Sequence, residues 1–491
     1  MPDLGPIIVL HGATDDLWRL SALVVSANPP ASLTTSDGHE AKPRCLLENG
    51  SHSAWAFRFE VKLGAKAREI TYKVAGVEAS VHLPARGQSP RIAYASCNGF
   101  SSLKDIKRVA DKHALWKRMA ERHGEAPYNL LLLGGDQVYA DSMWGAVASM
   151  HEWAAKSWEE ANASAFTPTM EDDLRKFYFD LYVTRWSQPE IARMLAQVPM
   201  IAMWDDHDIM DGWGSYPPER QDCPVFQGLW PIAREAFAVF QQQIDPKAGE
   251  HIDDALAPEY GFSRCHKLGR LAVLALDMRS ERTADQVIGL NHWNQIFSRM
   301  DQLKRSDVDH LLVMSSIPVV YPGFDTIERV LGIVPGQQEL EDDLRDHWKS
   351  RPHKGERLRL IHRLLDLASA VSIRPTILSG DVHVGAIGAI ESTRNGNSAS
   401  PDAVVSQLIS SGVVHPGPGG MVLFALQHLL DSTDEIDRGI VARMVKFPGT
   451  STAFIGGRNF LSLEPDDTRR IWANWFVEGE THSYVKVVHP I

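Results

Sequence analysis

The 491-residue chain carries 50 Lys and Arg against 62 Asp and Glu, a formal net charge of −12, with 44% hydrophobic and 23% charged residues. Its length exceeds what one hydrophobic core ordinarily supports, so two units are expected. The acidic balance argues against nonspecific binding to nucleic acid or an anionic membrane, which needs basic patches. Cys45, Cys97, Cys223 and Cys265 are scattered with no C-x-x-C pair, which excludes a disulfide framework and a zinc ribbon.

In chain order, residues 1–90 come first. Residues 19–25, 54–63, 70–74 and 77–83 are short and rich in β-formers, separated by Asn28-Pro29-Pro30, Asp37-Gly38, Asn49-Gly50 and Gly76. This spacing predicts a small antiparallel β-sandwich over 1–90. The first 20 residues have no basic stretch followed by an apolar one, and no run approaches the ~20 apolar residues of a membrane span. The expectation is a cytoplasmic protein with no membrane span. Residues 84–90, with Pro84, Gly87 and Pro90, read as a linker.

Residues 91–491 alternate strands with helices and are expected to form an α/β unit, a mixed β-sheet core flanked by helices. Residues 103–123, 170–196 and 339–367 read as helical, the last interrupted near Pro352. Residues 403–410, 471–477 and 484–489 read as strands without intervening helices, so the sheet is expected to become mixed there. A further amphipathic helix is expected within 412–452.

Five apolar runs in this part end on reactive residues: 92–96 on Cys97, 130–133 on Gly134-Gly135-Asp136, 200–203 on Trp204-Asp205-Asp206-His207-Asp208, 271–276 on Asp277-Met278-Arg279, and 377–379 on Gly380-Asp381-Val382-His383. In open α/β sheets ligands bind outside the carboxyl ends of the strands. Such a layout brings these groups to one place, as a metallohydrolase requires.

Each end carries its own chemistry. Asp136 can bridge a metal pair, and Tyr139 can return to it as a phenolate, a ligand favoured by a hard trivalent ion such as Fe(III). Cys97 can be held as a thiolate. Residues 205–211 pack Asp205, Asp206, Asp208 and Asp211 around His207, a charge density that needs cations. His207 suits a ligand or a general acid. Asp206 and Asp211 suit ligands, while Asp205 and Asp208 suit holding His207 or capping the next turn. Asp381 and His383, two apart in an extended segment, face the same side. Arg279 beside Asp277 suits either an anionic substrate or a structural ion pair. Ser315-Ser316 reads as pocket wall, and Asp346-His347-Trp348 and His415-Pro416 as surroundings of the centre. No G-x-S-x-G, H-E-x-x-H or G-x-x-x-x-G-K-[ST] occurs, so a serine hydrolase, zincin or P-loop enzyme is poorly supported.

The order Ser96-Cys97, Gly135-Asp136-x-x-Tyr139, Asp205-Asp206-His207-Asp208 and Gly380-Asp381-x-His383 resembles the PhoD-like alkaline phosphatases of the calcineurin-like metallophosphoesterase superfamily. The resemblance covers residues 91–491, and that family also carries an N-terminal β domain. It implies a metallophosphoesterase-type core. Cys97, Asp136 and Tyr139 would hold Fe(III), with Asp136 bridging to a second ion, Ca(II) in the family. Asp381, His383 and an Asn after the acidic motif would complete that second site. Asp211 stands where the Asn is expected, which leaves Mn, Zn or Mg open for the second ion. Purple acid phosphatases share the G-D-x-x-Y spacing but open on Asp-x-Gly and end on Gly-His-x-His.

The resemblance implies hydrolysis of small phosphate mono- or diesters by a metal-bound hydroxide at a dinuclear centre. His207 or Arg279 would stabilise the departing alkoxide. A purple-acid-phosphatase-like enzyme is the alternative on the same fold. A metal-binding scaffold or sensor with little turnover is the alternative of another class. Cleft width would depend on residues 212–227 and 321–338. Nothing in the sequence sets the oligomeric state.

Overall fold

The computed structural model describes residues 2–322, 348, 353–393, 404–428 and 433–491. Two large mixed sheets dominate the mixed α/β architecture. The first has ten strands. In spatial order they are Tyr484–Val488, Ile471–Val477, Asn459–Pro465, Ile92–Ala95, Leu130–Gly134, Met200–Met203, Leu4–Ala13, Leu17–Ser26, His52–Lys62 and Arg44–Asn49. The second runs Arg264–Leu268, Leu271–Ala275, His310–Met314, Arg374–Ser379, Val404–Ser410, Gly385–Ser392, Ile440–Val445 and Asp434–Asp437, with Phe454–Ile455 also paired to Gly385–Ser392. The central strands of both sheets are parallel, and their flanks are antiparallel.

Why the central strands read as unbroken apolar runs follows from their two partners. Successive side chains leave a strand on opposite faces. Leu130 and Leu132 enter an apolar cluster shared with Leu312, Leu378 and Leu408 of the second sheet. Leu131 and Leu133 enter another, shared with Trp116, Met119 and Leu195 from helices Ala114–Glu125 and Pro189–Gln197. Likewise Leu312 and Met314 face the first sheet, while Leu311 and Val313 meet Leu360 and Leu364 of helix Lys354–Val371. The sheets therefore face each other, and helices cover their outer sides.

The first 90 residues do not keep a sheet to themselves. Strand Leu4–Ala13 lies parallel beside Met200–Met203, so the strands that follow it extend the core sheet. The physical reason is its composition. Ile7 and Val9 are buried on the helical side, and Ile8 and Leu10 between the sheets. A strand apolar on both faces needs cover on both, which an edge of a small sandwich does not supply. The remaining strands, Leu33–Thr35, Glu40–Ala41, Arg68–Val74 and Val77–Leu83, form a separate four-stranded antiparallel sheet. Its Ile70, Tyr72 and Val81 pack into the cluster between the large sheets.

The expected long helices are divided. Residues 103–125 form Leu103–Arg108 and Ala114–Glu125, and residues 168–197 form Pro168–Trp186 and Pro189–Gln197. Pro189 occupies the first turn of its helix, where its missing N–H leaves no bond unmade. The strands expected near 403–410, 471–477 and 484–489 are present, and the last two are antiparallel neighbours. Of the helix expected over 339–367, residues 354–367 lie in Lys354–Val371. Most of 339–353, like residues 323–338 of the loop expected to shape the cleft, lies outside the described residues. No helix among the described residues is long and apolar enough to cross a membrane.

Candidate metal centre

Seven of the parallel strands, three from the first sheet and four from the second, carry their carboxyl ends to one region. The ends are tied across the sheets. Ser96 Oγ donates to Ser410 O at 3.0 Å and Ser316 Oγ to Asp205 Oδ1 at 2.8 Å, while within the second sheet Gly380 N donates to Ser316 O at 3.0 Å. Glycine permits this approach. A Cβ on Gly380 would lie 2.5 Å from Ser96 Oγ, and one on Gly135, whose φ is +98°, 2.8 Å from Asp205 Cβ.

Four of the candidate ligands sit in left-handed backbone: Cys97 (φ 55°), Asp136 (53°), Asp381 (68°) and His383 (53°). Ten non-glycine residues share that conformation among the described residues, so the site holds a disproportionate part of the backbone strain. This also corrects one expectation. Asp381 and His383 do not share a side by extension, because the chain bends after Ser379 and Val382 N donates to Gly380 O at 2.9 Å.

Cys97 and Asp136 are neighbours, with Sγ 3.5 Å from Asp136 Oδ2. Cys97 Sγ also lies 3.0 Å from Ser411 Oγ and 4.0 Å from Asp381 O. Tyr139 lays its ring on His207, centroids 4.3 Å apart, and Gly99 leaves room for it, since a Cβ there would fall 2.1 Å from Tyr139 Cδ2. Donor atoms of Asp136, Asp205 and Asp206 lie within 4.8 Å of one another, and so do those of Asp206, His207 and Asp211. Asp206 belongs to both groups. Asp211 is thus placed among candidate donors.

His207 is held by Asp141, which the motifs did not single out. Asp141 Oδ2 lies 2.6 Å from His207 Nδ1, and its Oδ1 accepts from Asp211 N at 2.7 Å. Asp205 and Asp208 take the capping role. They cap each other's turn, with Asp205 N donating to Asp208 Oδ2 at 3.0 Å. Asp208 Oδ1 accepts from Gln137 N, Val138 N and Gln241 Nε2. Asp205, read only as a capping or holding residue, instead joins the donor group of Asp136.

Of the two roles expected of Arg279, the ion pair is present. Its side chain is fully buried, Nε binds Asp205 Oδ1, Nη1 donates to Trp213 O at 3.1 Å, and Nη2 lies 3.3 Å from Asp206 Oδ1. It lies against the carboxylates of Asp205 and Asp206. Ser316 likewise holds Asp205, and Trp348 donates to Ser315 Oγ at 3.3 Å. Asp346 and His347 lie outside the described residues. His415 is closer to the centre than expected. Its ring stacks on His383 at 3.7 Å and faces Tyr139 at 5.8 Å.

Electrostatics express the same crowding. Burial first, then Asp205, pushes the Asp136 carboxyl well above its ordinary range. Burial and then Asp136 raise the Cys97 thiol, and burial and then Cys97 raise the Tyr139 phenol. Burial and then His415 hold His383 well below its usual value. For His207 burial acts downward, but Asp141 and Asp206 outweigh it and the net shift is upward. Cations placed among these groups would reverse the carboxyl, thiol and phenol shifts.

The donor set fits metal ions on a further count. Asp136 Oδ1, Tyr139 Oη and His383 Nδ1 are buried with no hydrogen-bond partner among the described residues. Buried polar atoms are seldom left so, and three from two strand ends converging on one region call for a common partner.

The family model described as PhoD related phosphatase matches residues 47–338 and 330–433. The chain belongs to that family. The resemblance carried by the strand-end motifs is therefore confirmed. The uncharacterized protein YGR266W of Saccharomyces cerevisiae is 29% identical over 399 residues, covering 68% of this chain and 56% of that protein. The chain thus spans little more than half the length of that curated relative. A solved structure of PhoD superposes with a TM-score of 0.59 at 14% identity, over 99% of this chain and 90% of that one, a likeness of fold.

Proposed function

We propose that this protein hydrolyses phosphate esters, mono- or diesters, with the help of metal ions held at the strand ends. The observation that carries this reading is the set of buried atoms Asp136 Oδ1, Tyr139 Oη and His383 Nδ1, within a member of the PhoD related phosphatase family. Cys97, Asp136 and Tyr139 would hold one ion, Fe(III). Asp136, Asp206, Asp211, Asp381 and His383 would hold a second, Ca(II) or another divalent ion. When bound, such ions supply Lewis acidity toward phosphoryl oxygens and make water nucleophilic at neutral pH.

The chain's own residues do the rest. Asp141 accepts from His207 Nδ1, which fixes the ring and leaves Nε2 to carry the proton for the departing alkoxide. Arg279 and Ser316 lock Asp205, and Gly212 N donates to Asp206 Oδ2 at 2.7 Å, so the carboxylates keep their orientation. Tyr139, stacked between His207 and His415, keeps the acid over the centre.

Hydrolysis of a generic aryl phosphate tests the reading. Activity is expected to need metal and to fall on the order of 10³-fold in Asp136→Asn. A metal-replete protein that turns over neither mono- nor diesters at any pH would refute it. The iron assignment has its own readout: a visible charge-transfer band that Tyr139→Phe shifts. A colourless protein holding only zinc would overturn that assignment.

A further inference from the structure

The two large sheets end on four edge strands, and three of these are poorly suited to further pairing. Arg44–Asn49 is broken by a bulge between Cys45 and Leu47. Asp434–Asp437 carries Asp434, Glu435 and Asp437 and has a bulge between the last two. Beside Arg264–Leu268 runs the chain that precedes it, where Asp254 O accepts from Cys265 N at 3.1 Å. Bulges, charge and covering chain are the ordinary ways of blunting an edge.

The fourth edge, Tyr484–Val488, is built differently. All its residues pair with Ile471–Val477 in one unbroken antiparallel register. An antiparallel strand turns the N–H and C=O of alternate residues away from its neighbour. Among the described residues these outward groups meet no hydrogen-bond partner. Instead a cleft of about 700 Å³ follows the strand, lined by Tyr484, Val485, Lys486 and Val487 and walled by Pro448 and Thr450.

Lys486 is the middle residue of the strand and its only charge. Its side chain shares a face with Tyr484 and Val488, which pack toward the apolar cluster between the sheets. The residue is half-buried, and among the described residues its ammonium has no hydrogen bond or ion pair. Burial, and then Arg374, lowers its pKa. A cation in that position, next to open backbone donors and acceptors, complements a segment that brings an extended backbone and a carboxylate together. A second copy of this chain is a poor occupant. Symmetric antiparallel pairing about the middle of the strand would set Lys486 against its counterpart, and like charges directly opposite are destabilising.

We propose that the edge of Tyr484–Val488 takes up an extended segment of a partner protein as an added strand, with an Asp or Glu of that segment set against Lys486. Val485 and Val487, on the other face, suit β-branched or aromatic residues beside that acid. The inference does not depend on the hydrolase reading. Its test selects displayed random peptides on the immobilised full chain and measures the enriched ones by fluorescence anisotropy. Peptides of about nine residues overrun the roughly 17 Å of edge that the strand presents. Enriched peptides are expected to carry Asp or Glu between β-branched or aromatic residues. Replacing that acid by Lys should weaken binding about tenfold, and N-methylating alternate peptide amides should abolish it in one of the two alternate sets.

Lys486→Glu should reverse the preference and bind the Lys peptide over the acidic one. Lys486→Met, which keeps an unbranched stem, should bind the two alike. Thermal unfolding reads whether each variant keeps its fold, and if Lys486→Glu does not, Lys486→Met decides alone. Enrichment without an acid, or no enrichment at all, overturns the proposal. So does affinity unchanged by N-methylation of either set, or an acid preference retained in Lys486→Met. Inorganic phosphate competing as well as unlabelled peptide also overturns it, by giving the cleft to a small anion.

Discussion

Two strand ends of like construction have opposite fates. Leu130–Gly134 and Leu271–Ala275 are both buried parallel strands, and each runs into an aspartate two residues on. Asp277 is saturated. Its Oδ1 accepts from Trp204 Nε1 at 2.8 Å and from Arg279 N and Ser280 N at 3.0 Å, and its Oδ2 accepts from Phe262 N at 2.8 Å and from Ser280 Oγ. Asp136 has an oxygen with no hydrogen-bond partner among the described residues and lies within reach of Asp205 and Asp206. The same residue type at the same place is a brace in one sheet and a candidate ligand in the other. What separates them is the count of donors reaching each lone pair.

The largest effect should come from breaking that contrast at Asp136. Asp136→Asn should lower kcat/KM on the order of 10³-fold, ~4 kcal/mol, with the thermal transition retained. Steady-state kinetics beside calorimetry checks this. Asp277→Asn should do the reverse. An amide cannot accept at both ends, so buried donors lose a charged partner and stability falls by about 3 kcal/mol. Denaturant unfolding would read the loss, and activity per folded molecule should remain near that of the native protein. Equal loss of activity in both variants would erase the distinction.

The sequence shows Asp136 and Asp277 alike at the ends of apolar runs, and only Gly135 and Tyr139 beside Asp136 set it apart as a candidate ligand. The position of Cys97, Asp206 and His383 at strand ends was legible, and so was the parallel core. What could not be read was the partner of each group. Asp141 reaches His207 across 66 positions of sequence, and Arg279 turns inward to Asp205 because Trp213 and Asp206 close around it. Ser411 was within reach of the strand-end argument, since Val404–Ser410 is another buried strand and Ser411 Oγ meets Cys97. The N-terminal unit was misread for a related reason. Ile7-Ile8-Val9-Leu10 is a doubly buried run, yet the alternating strands that follow it set the expectation of a small sandwich.

Asp141 offers a smaller test of the same accounting. It touches no candidate metal donor except through His207 and the backbone of Asp211. Asp141→Asn should therefore lower kcat about tenfold to thirtyfold, the range typical of a group that orients a ligand or an acid. Metal content by elemental analysis should stay near that of the native protein. Loss of metal together with activity would place Asp141 in the binding set instead.

The smallest effect sharpens the comparison from outside the site. His11, on Leu4–Ala13, is buried, and burial first, then Arg58 and Arg264, lowers its pKa from 6.5 to about 3. Below pH 6.5 the unfolded chain therefore takes up a proton that the folded chain refuses. Stability should fall by about 1.4 kcal/mol for each pH unit between 6.5 and 3, and level off below 3. In His11→Asn that contribution should disappear. Saturating metal should leave it untouched, because no candidate metal donor faces His11. The carboxyl, thiol and phenol shifts at Asp136, Cys97 and Tyr139 should reverse under the same addition, releasing protons that a pH-stat can count. A metal-dependent slope at His11 would show that the two regions are coupled, and no proton release from the centre would show that metal does not bind among those groups.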